Sequence, residues 1–179
     1  MNMKTYRLAA AAVLMAGGLA LAACGANSSA AGQCPKIGVL PDAADLPVTD
    51  ANGQVIALAR LSLQNGPCIY DKSAVQRTGF SKVSFPLTVR VSAAQVRGAR
   101  VNDIDVTYIV ATVSPEGAIT GRQEYRLNVD LDGTTGKEDD KILINIPYAG
   151  NGNAAQHRVV AAFKVDRETV QLNRERLGR

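Results

Sequence analysis

Between Lys82 and Ser92 the side chains alternate without a break. Val83, Phe85, Leu87, Val89 and Val91 are interleaved with Lys82, Ser84, Pro86, Thr88, Arg90 and Ser92. A period of two puts all five apolar groups on one face of an extended chain, whereas a helix would scatter them around its axis. The segment therefore predicts a half-buried strand, and a strand that buries one face needs a second layer to bury it against. Pro86 has no backbone donor, which argues for an edge strand or a bulge at that point.

The same period recurs. Ile119, Tyr125, Leu127, Val129 and Leu131 alternate with Thr120, Arg122, Glu124, Arg126 and Asp130, and Ile142, Ile144, Ile146 and Tyr148 with Lys141, Asn145 and Pro147. Further strands are expected at 36–40, 54–64, 73–79, 103–113 and 157–165, the 103–113 and 157–165 runs being apolar enough on both faces for central strands. Turn chemistry separates the runs: Asn52-Gly53, Asn65-Gly66-Pro67, Ser114-Pro115-Glu116-Gly117 and Asn151-Gly152 supply proline where φ must be near −65° and glycine where it must be positive. Seven or eight such strands predict an all-β, antiparallel two-sheet sandwich of immunoglobulin or fibronectin III type, with a small closed barrel as the alternative. The chain has no tryptophan, which separates it from antibody domains.

The period changes at the end. Asp166 is placed to cap a short helix over 166–179 whose Val170, Asn173, Arg174 and Leu177 share one side. Val170 and Leu177, with Leu172, are the residues expected to bury. Arg167, Arg174, Arg176 and Arg179 are expected in solvent or against anionic lipid.

The beginning obeys a different rule. Lys4 and Arg7 precede an uncharged run from Leu8 to Ala23 that is too short for a membrane span, which needs about 20 apolar residues, and has the order of a secretory signal. The run ends in Leu21-Ala22-Ala23-Cys24-Gly25, which resembles the lipobox of bacterial lipoproteins. That resemblance implies cleavage before Cys24, diacylglycerol on its sulfur and acylation of the new amino group. Gly25 stands where an aspartate would imply retention in the inner membrane, so the periplasmic face of the outer membrane is the expected address and the inner membrane the alternative. The organisation expected is a cleaved signal over 1–23, a small-residue tether over 24–33, a sandwich over 34–165 and the basic helix over 166–179.

Loss of Lys4 and Arg7 reduces the 20 bases to 18 against 16 acids, so the mature chain carries +2 rather than +4. Its bases are dispersed, and nucleic-acid binding, which needs a concentrated basic face, is not expected. With Cys24 assigned to lipid, Cys34 and Cys68 remain as an even pair in an oxidising compartment, and one disulfide closing a loop of about 35 residues is the expected product. A metal site would need more ligands than two distant cysteines and one histidine.

Chemistry-bearing residues are sparse. His157 is the lone histidine, no nucleophile elbow or glycine-rich phosphate loop is present, and His157 is expected to be exposed at a strand start. The densest acidic stretch runs from Asp130 to Asp140. Asp130 and Asp132 followed by Gly133 look like the opening of a calcium loop, with Glu138 and Asp140 as further oxygen donors, although a solvated hairpin loop accounts for the same residues. Asp103 and Asp105 share one face of a strand start, where they suit acid–base chemistry or serve to discourage edge association.

Cys34 and Cys68, the Ser114–Gly117 turn and the basic C-terminal segment make the mature chain similar to the small sandwich lipoproteins of Gram-negative envelopes. The resemblance transfers no catalytic residue. It implies a non-enzymatic module, attached to the membrane by lipid, that binds another envelope protein; a small-ligand or calcium-binding lipoprotein is the alternative. Calcium is the one candidate cofactor, and the Lys82–Ser92 strand, taken as an edge, is the expected interaction face. Metabolic labelling with palmitate is expected to mark the protein and to be lost completely in Cys24→Ser.

Overall fold

The computed structural model describes residues 33–71, 80–149 and 154–178. The expected signal, Cys24, the tether up to residue 32, the 73–79 strand, the Asn151-Gly152 turn and Arg179 lie outside the described residues. Those described form nine strands, two short 3-10 turns and one helix. The strands are β1 (Lys36–Val39), β2 (Asp45–Thr49), β3 (Val55–Asn65), β4 (Ile69–Asp71), β5 (Phe80–Gln95), β6 (Asp103–Val113), β7 (Ile119–Asp130), β8 (Thr135–Ala149) and β9 (Arg158–Phe163); the helix is α1 (Arg167–Arg176).

Two open sheets face each other, and no barrel closes. The first has the order β1–β9–β6–β7. In the second, β5 is flanked on one side by β8 along its length and on the other by β3 and then β4, with β2 outside β3. The odd positions of β5 fill the space between the sheets: Val83, Phe85, Leu87, Val89 and Val91 have no exposed surface. Opposite them lie Ile104, Val106 and Tyr108 of β6 and Val159, Ala161 and Phe163 of β9. Each large apolar side chain so buried contributes about 1.5–3 kcal/mol, and the alternation seen in the sequence is this core seen from one strand. The Cys34–Cys68 disulfide is formed, with 5.7 Å between its Cα atoms.

Several expectations are corrected. Strand β5 is central, not an edge. Pro86 is accommodated because its carbonyl accepts from Gly66 N at 2.8 Å, so its nitrogen faces the gap in the ladder where β3 ends and β4 has not begun. The first and last strands pair in parallel, Lys36 beside Arg158 and Val39 beside Ala161, a long-range pairing that no local pattern encodes. Strand β8 starts at Thr135, not in the 140s, so Glu138, Asp139 and Asp140 lie in a strand rather than a loop. Asp166 does cap α1, accepting from Thr169 N at 2.7 Å. However, the helix residue that buries is Asn173, while Leu172 and Leu177 are 55% and 46% exposed.

The crossing from β7 to β8 carries the chain from one sheet to the other and is tight. A Cβ on Gly136 would fall 2.0 Å from Asp130 O, a main-chain atom that cannot swing aside, whereas one on Gly38 would meet nothing within 4 Å. In urea unfolding, Gly136→Ala is expected to cost at least about 2–3 kcal/mol, and Gly38→Ala to change stability by no more than about 0.5 kcal/mol.

Candidate functional site

A groove of about 700 Å³ with a largely apolar lining lies between α1 and the outward face of the second sheet. The even positions of β3 and β5 point outward, so Leu58, Arg60, Ser92 and Ala94 form the floor, Asp45 and Pro47 of β2 continue it, and Leu172 and Arg176 of α1 form the opposite wall. Leu58 is 50% exposed, an aliphatic group on a strand face that also carries Ile56, Arg60, Ser62 and Gln64.

The helix wall is fixed by polar contacts rather than by apolar burial. Asn173, 4% exposed, donates from Nδ2 to the carbonyls of Asp42 (3.0 Å) and Asp45 (2.9 Å), and its Oδ1 accepts from Arg176 at 3.0 Å. Arg174 pairs with Asp42 at 2.8 Å and Arg176 with Asp45 at 2.7 Å. The Asp45 carboxylate also receives a two-point contact from Arg60, at 2.7 and 3.2 Å. Two guanidiniums therefore flank one carboxylate on the groove rim, leaving a local excess of positive charge. Arg174 and Arg176 make these pairs while remaining exposed to solvent, and Arg167 is exposed as well.

The four acids considered for calcium do not converge. Among the described residues no group of three or more His, Cys, Asp or Glu side chains is placed to hold a metal ion. Asp130 and Asp132 are exposed at the β7–β8 crossing. Asp140 faces inward from β8 and accepts from the Tyr108 hydroxyl at 2.5 Å, which ties the two sheets together. Glu138 faces the same way on the edge strand and stays exposed. Its neighbour Asp139 points outward and receives a two-point contact from Arg90 at 2.6 and 2.7 Å; that hydrogen bond holds the carboxyl below its usual range. Burial first, and the bond to Asp140 second, push the Tyr108 hydroxyl well above its ordinary value, so it stays a neutral donor. Its ring stacks on Tyr125 with centroids 5.2 Å apart.

Asp103 and Asp105 lie on the outer face of β6 and share Asn128 Nδ2, at 3.2 and 3.0 Å. Strand β6 is internal to its sheet, but its ladder with β9 covers only Tyr108–Val113, so at Asp103 and Asp105 it is paired on the β7 side alone. His157 is half-buried rather than exposed, with Nδ1 enclosed and without a hydrogen-bond partner. Glu116 is held below its ordinary range mainly by a hydrogen bond from Ser114, with a smaller contribution from His157. The Ser114 hydroxyl also receives Ala118 N at 3.3 Å, so its bonds are used inside the turn. No helix among the described residues is long and apolar enough to cross a membrane.

The sequence reading named Leu172, Asn173 and Arg176 as helix residues but gave no groove residue a binding role. Leu58 carried a signal, as an aliphatic group beside Arg60, Ser62 and Gln64 on the even-numbered face of β3, whereas Asp45 and Asn173 meet from positions 128 residues apart. Comparison with protein-family models, with curated proteins and with solved structures yields no match.

Asn173→Ala is expected to destabilise the fold by about 2–3 kcal/mol, since it strips the donor from two carbonyls. Asn173→Asp is expected to cost more, because a carboxylate then faces those carbonyl oxygens; thermal melts that rank aspartate as the milder change would refute this account of how α1 is held.

Proposed function

We propose that this chain is a lipid-anchored lipoprotein of the cell envelope, attached through Cys24 at the periplasmic face of the outer membrane, whose sandwich is a non-catalytic docking module for another envelope protein. The observation that carries the docking reading is the groove beneath α1. Leu58 and Leu172 present aliphatic surface that a folded domain would ordinarily cover, on walls made rigid by Asn173 and the Asp42 and Asp45 ion pairs. A preformed groove avoids the ordering cost that weakens flexible sites. The occupant that fits is a partner segment with an apolar side chain between Leu58 and Leu172 and an acidic group facing Arg60 and Arg176. The lipid attachment is supported by the Leu21-Ala22-Ala23-Cys24 sequence, and the oxidising compartment by the Cys34–Cys68 bond.

A second reading, a small amphiphile held in the same groove, is favoured by its size, which falls within the roughly 300–1,000 Å³ of small-ligand sites. A photocrosslinking amino acid at Leu58 in intact cells, followed by mass spectrometry, separates the two. One reproducible protein adduct, absent when Leu172→Glu is added, is the expected result. Crosslinks to lipid-sized molecules alone, together with a rise in melting temperature on adding them, would replace the protein partner with the amphiphile.

A further inference from the structure

The end of the sandwich where the chain arrives from Cys24 has an unusual surface. The disulfide places Cys34 beside Cys68, immediately before β4, and the Tyr70 hydroxyl of β4 donates to Gln33 O at 2.5 Å. The chain therefore meets the domain next to β4. Ile69, the first residue of β4, is 68% exposed, and Phe80, the first residue of β5, is 53% exposed. Both lie on the outward face of the second sheet: Ile69 is in register with Ser84, and Phe80 is four residues before Ser84 on the same strand, about 13 Å away. Leu143, 66% exposed, continues this face on the far side of β5, in register with Pro86.

Lys82 lies between Ile69 and Phe80 on the same face, opposite Asp71. Lys36 and Arg158, register partners at the same end of the first sheet, are also exposed. Among the described residues, Asp71 and Glu116 count against these three, which leaves a net positive charge.

We infer that this end rests on the bilayer, with Ile69 and Phe80 seated at the headgroup–acyl boundary and Lys36, Lys82 and Arg158 among the phosphates. The inference rests on the proposed anchor at Cys24. Cys24 and Gln33 are nine positions apart, a length that spans at most about 30 Å even when fully extended, so the Gln33 end is the part of the domain that an anchored Cys24 holds nearest the lipid. The groove lies nine to eleven residues further along β5 than Val83, the register partner of Tyr70, or roughly 30 Å. Aromatic and aliphatic groups interleaved with bases are the composition that partitions into a membrane interface, and Phe80, the aromatic among the large exposed hydrophobic groups of the described residues, lies at this end.

The absence of tryptophan from the chain makes the test direct. Phe80→Trp and, separately, Leu58→Trp are made in the full chain, purified from membranes and reconstituted into phosphatidylethanolamine–phosphatidylglycerol vesicles with brominated acyl chains. Flotation with the vesicles reports the anchor. Side chains seated about 5–10 Å into the boundary come within reach of the bromines, so Phe80→Trp emission is expected to fall by at least about half, with Leu58→Trp unchanged. Protein that floats with Phe80→Trp unquenched, or with both reporters quenched alike, overturns the orientation while leaving the anchor standing. Protein that fails to float removes the anchor and the orientation with it.

Discussion

The structure depends on burying one face of β5. That strand is in register with β8 over fifteen residues and with β3 and β4 in turn on its other side, so its five fully buried odd-numbered apolar side chains cannot shift by one residue without moving the whole set into solvent. Strands β6 and β9 supply the opposing layer. The polar outer faces, the ion pairs and the helix are arranged around that fixed register. This is why Pro86 is tolerated in mid-strand: the core holds β5 in place while the ladder is interrupted at the β3–β4 corner, where no donor is needed.

The open side of the sandwich, between β7 and β8, is handled by polar chemistry. Strand β8 is a long edge, and long edges invite pairing with other chains. Here Glu138 and Asp140 face inward at its first half and Lys137 and Lys141 outward, a pattern that opposes a second strand docking alongside. The Tyr108 bond to Asp140 replaces the apolar contact that an edge cannot make. Of the acids first considered as calcium ligands, Glu138 and Asp140 thus protect an edge and, through Tyr108, join two sheets.

The alternation and turn residues made most of the fold readable. Strand β6 was legible with its bounds, β3, β7 and β9 nearly so, and the capping role of Asp166 followed from its position before a helical pattern. What escaped did so for physical reasons. Strand β2 is five residues long and contains Pro47, so its period is too short to register. The first half of β8 is charged on both faces because it overhangs the core, which removes the hydrophobic signal although the backbone pairing is complete. The groove was illegible because an asparagine reads as surface until the carbonyls of Asp42 and Asp45 appear over a hundred residues away to receive it. Leu58, an aliphatic group next to Arg60, Ser62 and Gln64 on one face of β3, was a local mark of that surface.

On the proposed anchor at Cys24, the Cys34–Cys68 bond takes a role beyond stability. Closing a loop of this size removes roughly 3–4 kcal/mol of unfolded-chain entropy, yet its position also determines where force from a tether enters the domain. Pulling on residue 33 loads Cys34, then Cys68 and β4, and so reaches β5 through its ladder. Strand β1 has only four residues of parallel pairing with β9 and is relieved of that load. A domain attached at its terminus by a short weak strand would fray there first. The disulfide passes the load to the central strand, and it leaves α1, β2 and the groove at the other end of β5 mechanically independent of the attachment. On the proposed anchor at Cys24 and docking in the groove, the module would be held at one end and bind at the other, and the covalent link between the segments that lead into β1 and β4 would keep the two apart.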